Sequence, residues 1–431
     1  MAQLAPVRLS TRDCEDASRL LDVDLARERV VAAFGPLETV RVPIAEALGL
    51  VLAVEVIAGY ALPPFANAAM DGFAVCGIDT GGATPENPVS LAVVGEAGAG
   101  HPSGASVEVG CAIRIMTGAP IPAGADAVIR FEDTDETRIA NGRARAGQRI
   151  GIVRAVEPGE NVRPAGEEVK LGETVLARGA CPRSAEIGLL AALNRTHVSV
   201  HRRPRVAILA TGDELVDPGQ EAGPGQIRNS NTPMVAAMVR QCGGEPRVLG
   251  VAGDTTADLR AKLGAARGAD LLITTGGVSV GDYDVVKDVL RLEGRIDLWQ
   301  VRMKPGKPLA FGELSGLPLL GLPGNPIAAA VAFEQFARPA IRAMLGHREL
   351  MRPTFRARLV RQVENHGGRR QFVPVRVEAD ADGFVATPSG SRGAGSLTAL
   401  TRANGLLVVP ETMAVAAAGD MLSVQMLDWE A

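Results

Sequence analysis

The chain has 431 residues, of which 46% are hydrophobic and 22% are charged, and this mixture is typical of folded globular domains. At roughly 150 residues per domain, the length predicts about three domains, large enough to bury a core without disulfides. The net charge of −4 and the aromatic content of 3% argue against a nucleic-acid-binding protein, because such proteins need basic surfaces and aromatic side chains for base stacking.

The cysteines and the hydropathy indicate the compartment. The cysteines are scattered without the spacing of a zinc site, which favours a reducing compartment. They are Cys14, Cys76, Cys111, Cys181 and Cys242. The N-terminus carries charges where a signal peptide needs an apolar stretch, and no apolar run reaches the roughly 18 residues of a transmembrane helix. We therefore expect a soluble, cytoplasmic protein that contacts neither a membrane nor nucleic acid.

The first predicted elements are a helix and two strands. Val23, Ala26, Val30 and Phe34 recur at helical spacing, and Gly35-Pro36 ends this helix. The segment TVRVPIAEALG then predicts a strand and a short helix, and LVLAVEVIA predicts a second strand.

Residues 61–164 have a different pattern. Short β-like segments alternate with glycine and proline turns, which predicts a small all-β unit that we call the β module. These segments are GFAV, VSLAVVGEA, CAIRIM and DAVIRF. Residues 165–203 return to a mixed pattern, with an apolar helix around AEIGLLAAL.

From Arg205 onward, strands and helices alternate. VAILAT, VLGVAG, LLITT and PLLGLP are strand-like, and helical segments lie between them. This alternation predicts a parallel sheet that is covered by helices on both faces. From about Arg352 to the C-terminus the chain is strand-like again, with no predicted helix.

Polar or glycine-rich loops follow three of these predicted strands. In an open α/β sheet, ligands bind beyond the carboxyl ends of the strands. The first loop, Thr211–Glu214, is either an ordinary capping turn or part of a site. The second, 274–284, combines Gly276 and Gly277 with Asp282 and Asp284. Its glycines allow backbone amides to approach phosphate oxygens, and its carboxylates suit Mg²⁺, whereas the alternative is a turn with an aspartate N-cap.

The third loop, Pro323–Pro326, opens a long helix, with Asn325 as the expected N-cap and an anion site as the functional alternative. Lys304 and Lys307 flank a Pro-Gly turn that suits a phosphate or an oxyanion, although such lysine pairs are more often solvated. The arginine-rich stretch 342–376 is either a solvated face or the rim of an anion site.

Six motifs together resemble one family. In chain order they are AMDGFAV, RIMTGAP, TGDEL, ITTGGVSVGDYD, MKPGKP and LPGNP. The same motifs occur in this order in molybdopterin molybdotransferases, the molybdenum insertases of molybdenum-cofactor biosynthesis, which are related to the E domain of gephyrin. The resemblance runs from about Val23 to the C-terminus.

The resemblance implies a multidomain α/β plus β fold. Residues 1–60 and 165–203 would form an elongated, discontinuous N-terminal domain, and residues 61–164 an inserted β domain. Residues 204–347 would form an α/β molybdopterin-binding domain with a parallel-rich sheet, and residues 348–431 a C-terminal β-barrel.

The resemblance also implies an activity. The family inserts molybdate into adenylylated molybdopterin with release of AMP, uses Mg²⁺ and forms homodimers. Matched by position, the catalytic residues are Asp71, Thr117, Glu214, Asp254, Asp284 and Lys304. We expect Glu214, Asp254 and Asp284 to bind the metal. The predicted substrate-binding residues are Thr211, Gly212, Gly276, Gly277, Ser279, Gly281, Lys307, Pro323, Gly324 and Asn325. The choice between molybdate and tungstate, and the docking of other pathway enzymes, stay open.

Three positions depart from the family pattern. Glu168 replaces an aspartate, Gln300 lies where a lysine often occurs, and Ala394 replaces a serine in the C-terminal glycine-serine loop. Each change affects the local contacts that a ligand would make. Arg302 is the residue that would supply the charge missing at Gln300.

Two other functions compete with this one. A molybdopterin adenylyltransferase resembles residues 204–347 alone, and it lacks the β module and the C-terminal domain. A non-catalytic scaffold is the second alternative, because the E domain of gephyrin also serves in receptor clustering. ATP-dependent formation of adenylylated molybdopterin would favour the first, and ligand binding without AMP release would favour the second.

Overall fold

The computed structural model describes residues 20–136, 144–253, 255–276, 294–365, 368–390 and 397–428. The described residues form two compact units. Unit 1 lies within Met1–Val42, Ala47–Ala53 and Ser199–Ala431, and unit 2 within Pro43–Glu46 and Val54–Val198. No described helix is long and apolar enough to cross a membrane. The bounds predicted for the four domains stay a prediction.

The described helices are bounded as follows. The α-helices are α1 (Val23–Val31), α2 (Ser184–Ala192), α3 (Asn231–Gln241), α4 (Thr256–Gly264), α5 (Pro326–Ala332), α6 (Arg338–Met344) and α7 (Leu397–Thr401). A π-helical turn, Phe333–Ala337, joins α5 to α6. Short 3₁₀ turns occupy Ile44–Glu46, Gly77–Thr80 and Phe131–Asp133.

The strands are more numerous. The first eleven are β1 (Thr39–Pro43), β2 (Val56–Ile57), β3 (Asn67–Ala68), β4 (Gly72–Val75), β5 (Val89–Ala97), β6 (Cys111–Ile115), β7 (Ala127–Arg130), β8 (Arg149–Ile152), β9 (Val162–Arg163), β10 (Thr174–Leu176) and β11 (His197–His201). The next nine are β12 (Arg205–Thr211), β13 (Leu215–Val216), β14 (Ile227–Arg228), β15 (Glu245–Ala252), β16 (Leu271–Thr275), β17 (Gly294–Gln300), β18 (Met303–Lys304), β19 (Pro308–Leu314) and β20 (Leu317–Leu322). The C-terminal strands are β21 (Thr354–Leu359), β22 (Val363–Glu364), β23 (Arg370–Asp380), β24 (Gly383–Pro388), β25 (Gly405–Val409), β26 (Val415–Ala416) and β27 (Met421–Met426).

Helix α1 confirms the first predicted helix and is shorter than expected. Asp22 caps it by accepting hydrogen bonds from the backbone N–H groups of Asp24 and Leu25, and its apolar stripe is buried. The N–H groups of Ala33 and Phe34 donate to carbonyls three residues back. The chain therefore tightens into a turn before the proline.

Unit 1 contains the predicted parallel-rich sheet. Its strand order is β15-β12-β16-β20-β19-β17, in which the first four strands are parallel and β19 runs antiparallel to both of its neighbours, β20 and β17. Strand β12 is buried from Val206 to Thr211, as expected for a central strand with both faces covered. This confirms the predicted α/β fold class.

The C-terminal part of unit 1 is a closed barrel, which confirms the second part of that prediction. Strands β23, β24, β21, β27 and β25 pair in succession, and pairing of β23 with β25 closes the ring. Helix α7 contradicts the expectation that no helix follows Arg352. It has five residues, with Ala399 buried, and is too short to show a helical period.

Unit 2 contains the predicted β module. Its five-stranded sheet has the order β7-β4-β6-β5-β8, and apolar clusters that include Phe73 and Ile113 cover its two faces. The segment LVLAVEVIA is strand only at Val56–Ile57, so the longer strand predicted there is wrong. Val54 and Glu55 are exposed where the chain enters unit 2, and this exposure interrupts the apolar run.

Candidate functional site

The three predicted site loops of unit 1 begin side by side. Strand β16 lies between β12 and β20, and all three are parallel. In this register Thr275 pairs with Ala210 on one side and with Leu322 on the other. The strands therefore end level with one another, and the residues that follow them share one edge of the sheet.

Close backbone contacts hold this edge together. The Gly276 N–H donates to the Leu322 carbonyl at 3.1 Å. A Cβ added to Gly276 would lie 2.8 Å from the Thr211 carbonyl oxygen, and one added to Gly324 would lie 3.7 Å from the Gly276 Cα. Gly276 also has a φ of +86°. The structure thus brings Thr211, Gly276 and Gly324 together, and only glycine fits the middle position.

Buried polar atoms at this edge lack partners among the described residues. They are the hydroxyls of Thr211, Thr274 and Thr275 and the side-chain oxygen of Asn231. An unsatisfied buried hydroxyl costs about 1–3 kcal/mol in folding free energy. The edge is therefore equipped to hydrogen-bond a polar ligand. We call Thr211, Asn231, Thr275, Gly276 and Gly324 the strand-end site.

Asn231 is a member of this site that the sequence analysis missed. It begins α3, and its side-chain amide donates to the Gly324 carbonyl at 2.8 Å. Among the described residues, its side-chain oxygen has no hydrogen-bond partner. The polar run 228–231 could have indicated a binding residue, but such a run before a helix is equally typical of ordinary helix capping.

Glu214 lies beside the strand-end site. Its exposed side chain folds back over Gly212, where an added Cβ would lie 2.3 Å from Glu214 Oε2. Gly212 has a φ of +137°, and its N–H donates to the Ala252 carbonyl at 3.3 Å. A side chain at position 212 would therefore displace this carboxylate.

Several predicted site residues lie outside the described residues, and their roles stay predictions. They are Asp254, Gly277, Ser279, Gly281 and Asp284, together with the departing position Ala394. Within the described part of the chain, no group of three or more His, Cys, Asp or Glu side chains could hold a metal. Glu214 is the described member of the predicted metal triad, and its carboxylate oxygens are the donor type that Mg²⁺ takes.

The third loop shows the helix-start chemistry that the sequence predicted. The Asn325 side-chain oxygen accepts hydrogen bonds from Ile327 N at 3.1 Å and from Ala328 N at 3.2 Å, and Pro326 is the first residue of α5. Pro323 is buried, whereas Gly324 and Asn325 are exposed. The structure therefore shows Asn325 as an N-cap, and its substrate-binding role stays a prediction.

The loop from Lys304 to Lys307, which we call the lysine loop, packs against the same helix. A Cβ at Gly306 would lie 3.4 Å from the carbonyl oxygen of Ala328 in the first turn of α5. Lys304 belongs to β18, which pairs with barrel strand β23 and places Lys304 opposite Gln371. Both lysines are half-buried. The Gln371 side-chain oxygen is buried without a described partner. The pairing of Gln371 with Lys304 could not be predicted from the sequence, because β18 has only two residues.

A second pair of predicted residues meets in the β module of unit 2. Strands β4 and β6 are antiparallel, with Gly72 opposite Ile115. Asp71, just before β4, and Thr117, two residues after β6, therefore lie at the same end of this strand pair. The backbone N–H and the hydroxyl of Thr117 each donate to Asp71 Oδ1 at 2.7 Å. These hydrogen bonds, the backbone one foremost, lower the pKa of Asp71 below its usual value. An exposed carboxylate is thereby kept in its charged form.

Known proteins match this chain over most of its length. Residues 21–194 match the model of the MoeA N-terminal region (domain I and II), residues 207–343 that of a probable molybdopterin binding domain, and residues 356–427 that of the MoeA C-terminal region (domain IV). A Mycobacterium tuberculosis protein named molybdopterin molybdenumtransferase 2 is 40% identical over 392 residues, which are 89% of this chain and 94% of that protein. This chain belongs to the molybdopterin molybdenumtransferase family.

Further members of the family agree. A molybdopterin molybdenumtransferase of Staphylococcus epidermidis is 32% identical over 409 residues, covering 94% of this chain and 95% of that protein. Two structures of a molybdopterin biosynthesis moeA protein from Pyrococcus horikoshii have TM-scores of 0.81 and 0.78, at 31% and 29% identity, and each covers 95% of this chain and 100% of that one. These matches include the β module and the barrel, unlike a resemblance limited to residues 204–347. The family predicted from the six motifs is confirmed.

Gly276→Ala tests the close approach at the strand-end site, with Gly268→Ala as its matched control. Both glycines have positive φ, where alanine costs about 1–2 kcal/mol. An added Cβ meets the Thr211 carbonyl at position 276 and nothing within 4 Å at position 268. We expect calorimetry to show a clearly larger fall in melting temperature for Gly276→Ala. Equal falls would contradict the contact.

Thr117→Val tests the hydrogen bonds to Asp71. The variant removes the hydroxyl donor and keeps the backbone donor, so the pKa of Asp71 should rise. The measurement is a ¹³C NMR titration of the Asp71 carboxyl, assigned by its loss in Asp71→Asn. Thr117→Ser restores a hydroxyl and should restore the wild-type midpoint. An unchanged midpoint in Thr117→Val would show that the hydroxyl does not act on Asp71.

Proposed function

We propose that this protein inserts molybdate into adenylylated molybdopterin, forming the molybdenum cofactor and releasing AMP. The observation that carries the proposal is the strand-end site, in which buried polar atoms without a described partner lie on Thr211 and Thr275, beside Gly276. It lies in a chain whose relatives are named molybdopterin molybdenumtransferase. The reaction needs one place for a phosphoanhydride and another for an oxyanion. We assign the first to the strand-end site and the second to the lysine loop.

The phosphate groups would bind at the strand-end site. Gly276 and Gly324 lack side chains that would keep an anion away from the backbone, and Gly324 is exposed. The Thr211 hydroxyl and the Asn231 side-chain oxygen are unpaired among the described residues. A hydroxyl that donates to a charged phosphate oxygen forms one of the stronger hydrogen bonds available to a protein. Binding would therefore give the Thr211 hydroxyl an acceptor, whereas the Asn231 oxygen would accept from a donor group elsewhere on the substrate.

The molybdate substrate would bind at the lysine loop. Lys304 and Lys307 are half-buried beside α5, and partial burial strengthens their attraction for an anion because water screens it less. The ammonium groups are flexible point charges that adapt to a tetrahedral oxyanion. They would hold molybdate against the bound pterin and stabilise negative charge during the transfer.

We also propose Mg²⁺ as the cofactor and the homodimer as the active form. Glu214, Asp254 and Asp284 would hold the ion, and the exposed Glu214 carboxylate offers the oxygen donors that Mg²⁺ prefers. When bound, Mg²⁺ neutralises negative charge on phosphoryl oxygens as a Lewis acid. Asp71, kept charged by Thr117, would act on the substrate bound to the partner subunit.

AMP release is the direct test of the function. Purified protein, adenylylated molybdopterin, MgCl₂ and molybdate should release AMP over time. Glu214→Gln and Asp71→Asn should each lose at least about tenfold in rate, which corresponds to about 1.4 kcal/mol of barrier. Glu221→Gln is the control, because this exposed carboxylate lies outside both parts of the site. Formation of adenylylated molybdopterin from ATP, or ligand binding without AMP release, would contradict the proposal.

Mixed dimers test the sharing of the site between subunits. Asp71→Asn and Glu214→Gln homodimers should both be inactive. Each mixed dimer would have one doubly altered site and one intact site, and random assembly gives about half mixed dimers, so activity should recover to about a quarter of wild type. If tagged mixed dimers are present and inactive, the two residues serve sites within their own chains.

A further inference from the structure

A buried guanidinium lies on β6, the strand that pairs with β4 directly after Asp71 in the β module. Arg114, on β6, is 5% exposed, and its Nη1 donates to the carboxylate of Glu136, which is also 5% exposed. The backbone N–H of Ala144 donates to the same Glu136 oxygen at 2.9 Å. Burying two charges is expensive, and an apolar pair of similar volume is often at least as stable. Stability alone therefore does not explain this ion pair.

Two aromatic rings pack against the guanidinium. Its central carbon lies 4.1 Å from the ring centroid of Phe131 and 5.6 Å from that of Phe73. The two rings meet edge to face, with centroids 5.6 Å apart. Cation–π attraction of this kind favours one fixed position for the charge. Arg114 Nε has no hydrogen-bond partner among the described residues, so the rings and Glu136 supply the described contacts that hold the group.

The backbone connects both of these aromatic residues to Asp71. Phe73 is two residues after Asp71 and stands opposite Arg114 in the pairing of β4 with β6. The Phe131 N–H donates to the Asp71 carbonyl at 3.4 Å. Thr117, which holds the Asp71 carboxylate, follows Arg114 by three residues. Movement of the guanidinium would therefore disturb the supports of Asp71 on both sides.

We propose that Arg114 is a positioning residue for Asp71: paired with Glu136 and packed against Phe73 and Phe131, it fixes the Asp71 backbone and provides a positive charge that acts on its carboxylate. The proposal rests on the proposed function only in giving Asp71 a role in AMP release. Thr117 and Arg114 are the groups that lower the pKa of Asp71, with Thr117 the stronger. The contribution of Arg114 acts through space and is independent of the Thr117 hydrogen bonds.

A double variant, Arg114→Met with Glu136→Met, removes the ion pair and leaves an apolar pair that can pack. We expect the ¹³C titration midpoint of Asp71 to move to higher pH, since its positive neighbour is lost. The kcat of AMP release should fall at least about tenfold, because misplaced catalytic groups lose rate steeply. KM should change little, since Arg114 does not belong to the strand-end site. Ile150→Val is the control for the packing of the β module, and it should leave the Asp71 midpoint unchanged.

Glu136→Gln is the second variant, and it predicts a shift of opposite sign. It keeps the shape of the pair and leaves the charge of Arg114 uncompensated, so the Asp71 midpoint should move to lower pH. This near-isosteric change decides the proposal if the double variant does not fold. An Asp71 midpoint that stays at its wild-type value in the folded variants overturns the proposal, whatever the activity. Failure of the wild-type protein to release AMP would instead overturn the proposed function and leave the titration result standing.

Discussion

The level ending of three parallel strands is the constraint on which the proposed site depends. Because Thr275 is in register with both Ala210 and Leu322, the loops after β12, β16 and β20 start at one edge of the sheet. Gly276 can then lie against Thr211, and Gly324 against Gly276. A different register would separate these groups, and neither the glycines nor the unpaired hydroxyls would form one surface.

Much of this arrangement follows from sequence. Apolar strands that alternate with helices predict a parallel sheet, and the carboxyl ends of its strands predict where Thr211 and Gly276 lie. The lysine loop was harder, because β18 is a two-residue strand that joins the barrel through Gln371, and a strand that short has no periodicity. Asn231 was missed because its sequence context suits an ordinary helix start, and the bond that makes it part of the site is to the distant residue Gly324.

The β module presents a complementary case. The motifs identified Asp71 and Thr117 by resemblance, but no property of the residues alone paired them. The pairing of β4 with β6 does so. On the other side of β4, an added Cβ at Gly72 would lie 1.7 Å from the carbonyl oxygen of Ile129 on β7. Strand β7 therefore lies directly against this glycine within the sheet, and Arg114 stands opposite the next residue of β4, Phe73. The backbone contact at Gly72 and the ion pair of Arg114 with Glu136 therefore lie in the same part of this sheet.

The central claim is that the Thr211 hydroxyl, which has no partner within the described part of the chain, binds substrate, and Thr211→Val tests it most directly. Replacing an unpaired buried hydroxyl by a methyl group is nearly neutral or stabilising. The account therefore predicts an unchanged or raised melting temperature. Equilibrium binding of adenylylated molybdopterin should weaken about tenfold or more, the effect of losing a hydrogen bond to a charged group. A wild-type affinity in a stably folded Thr211→Val protein would contradict the account.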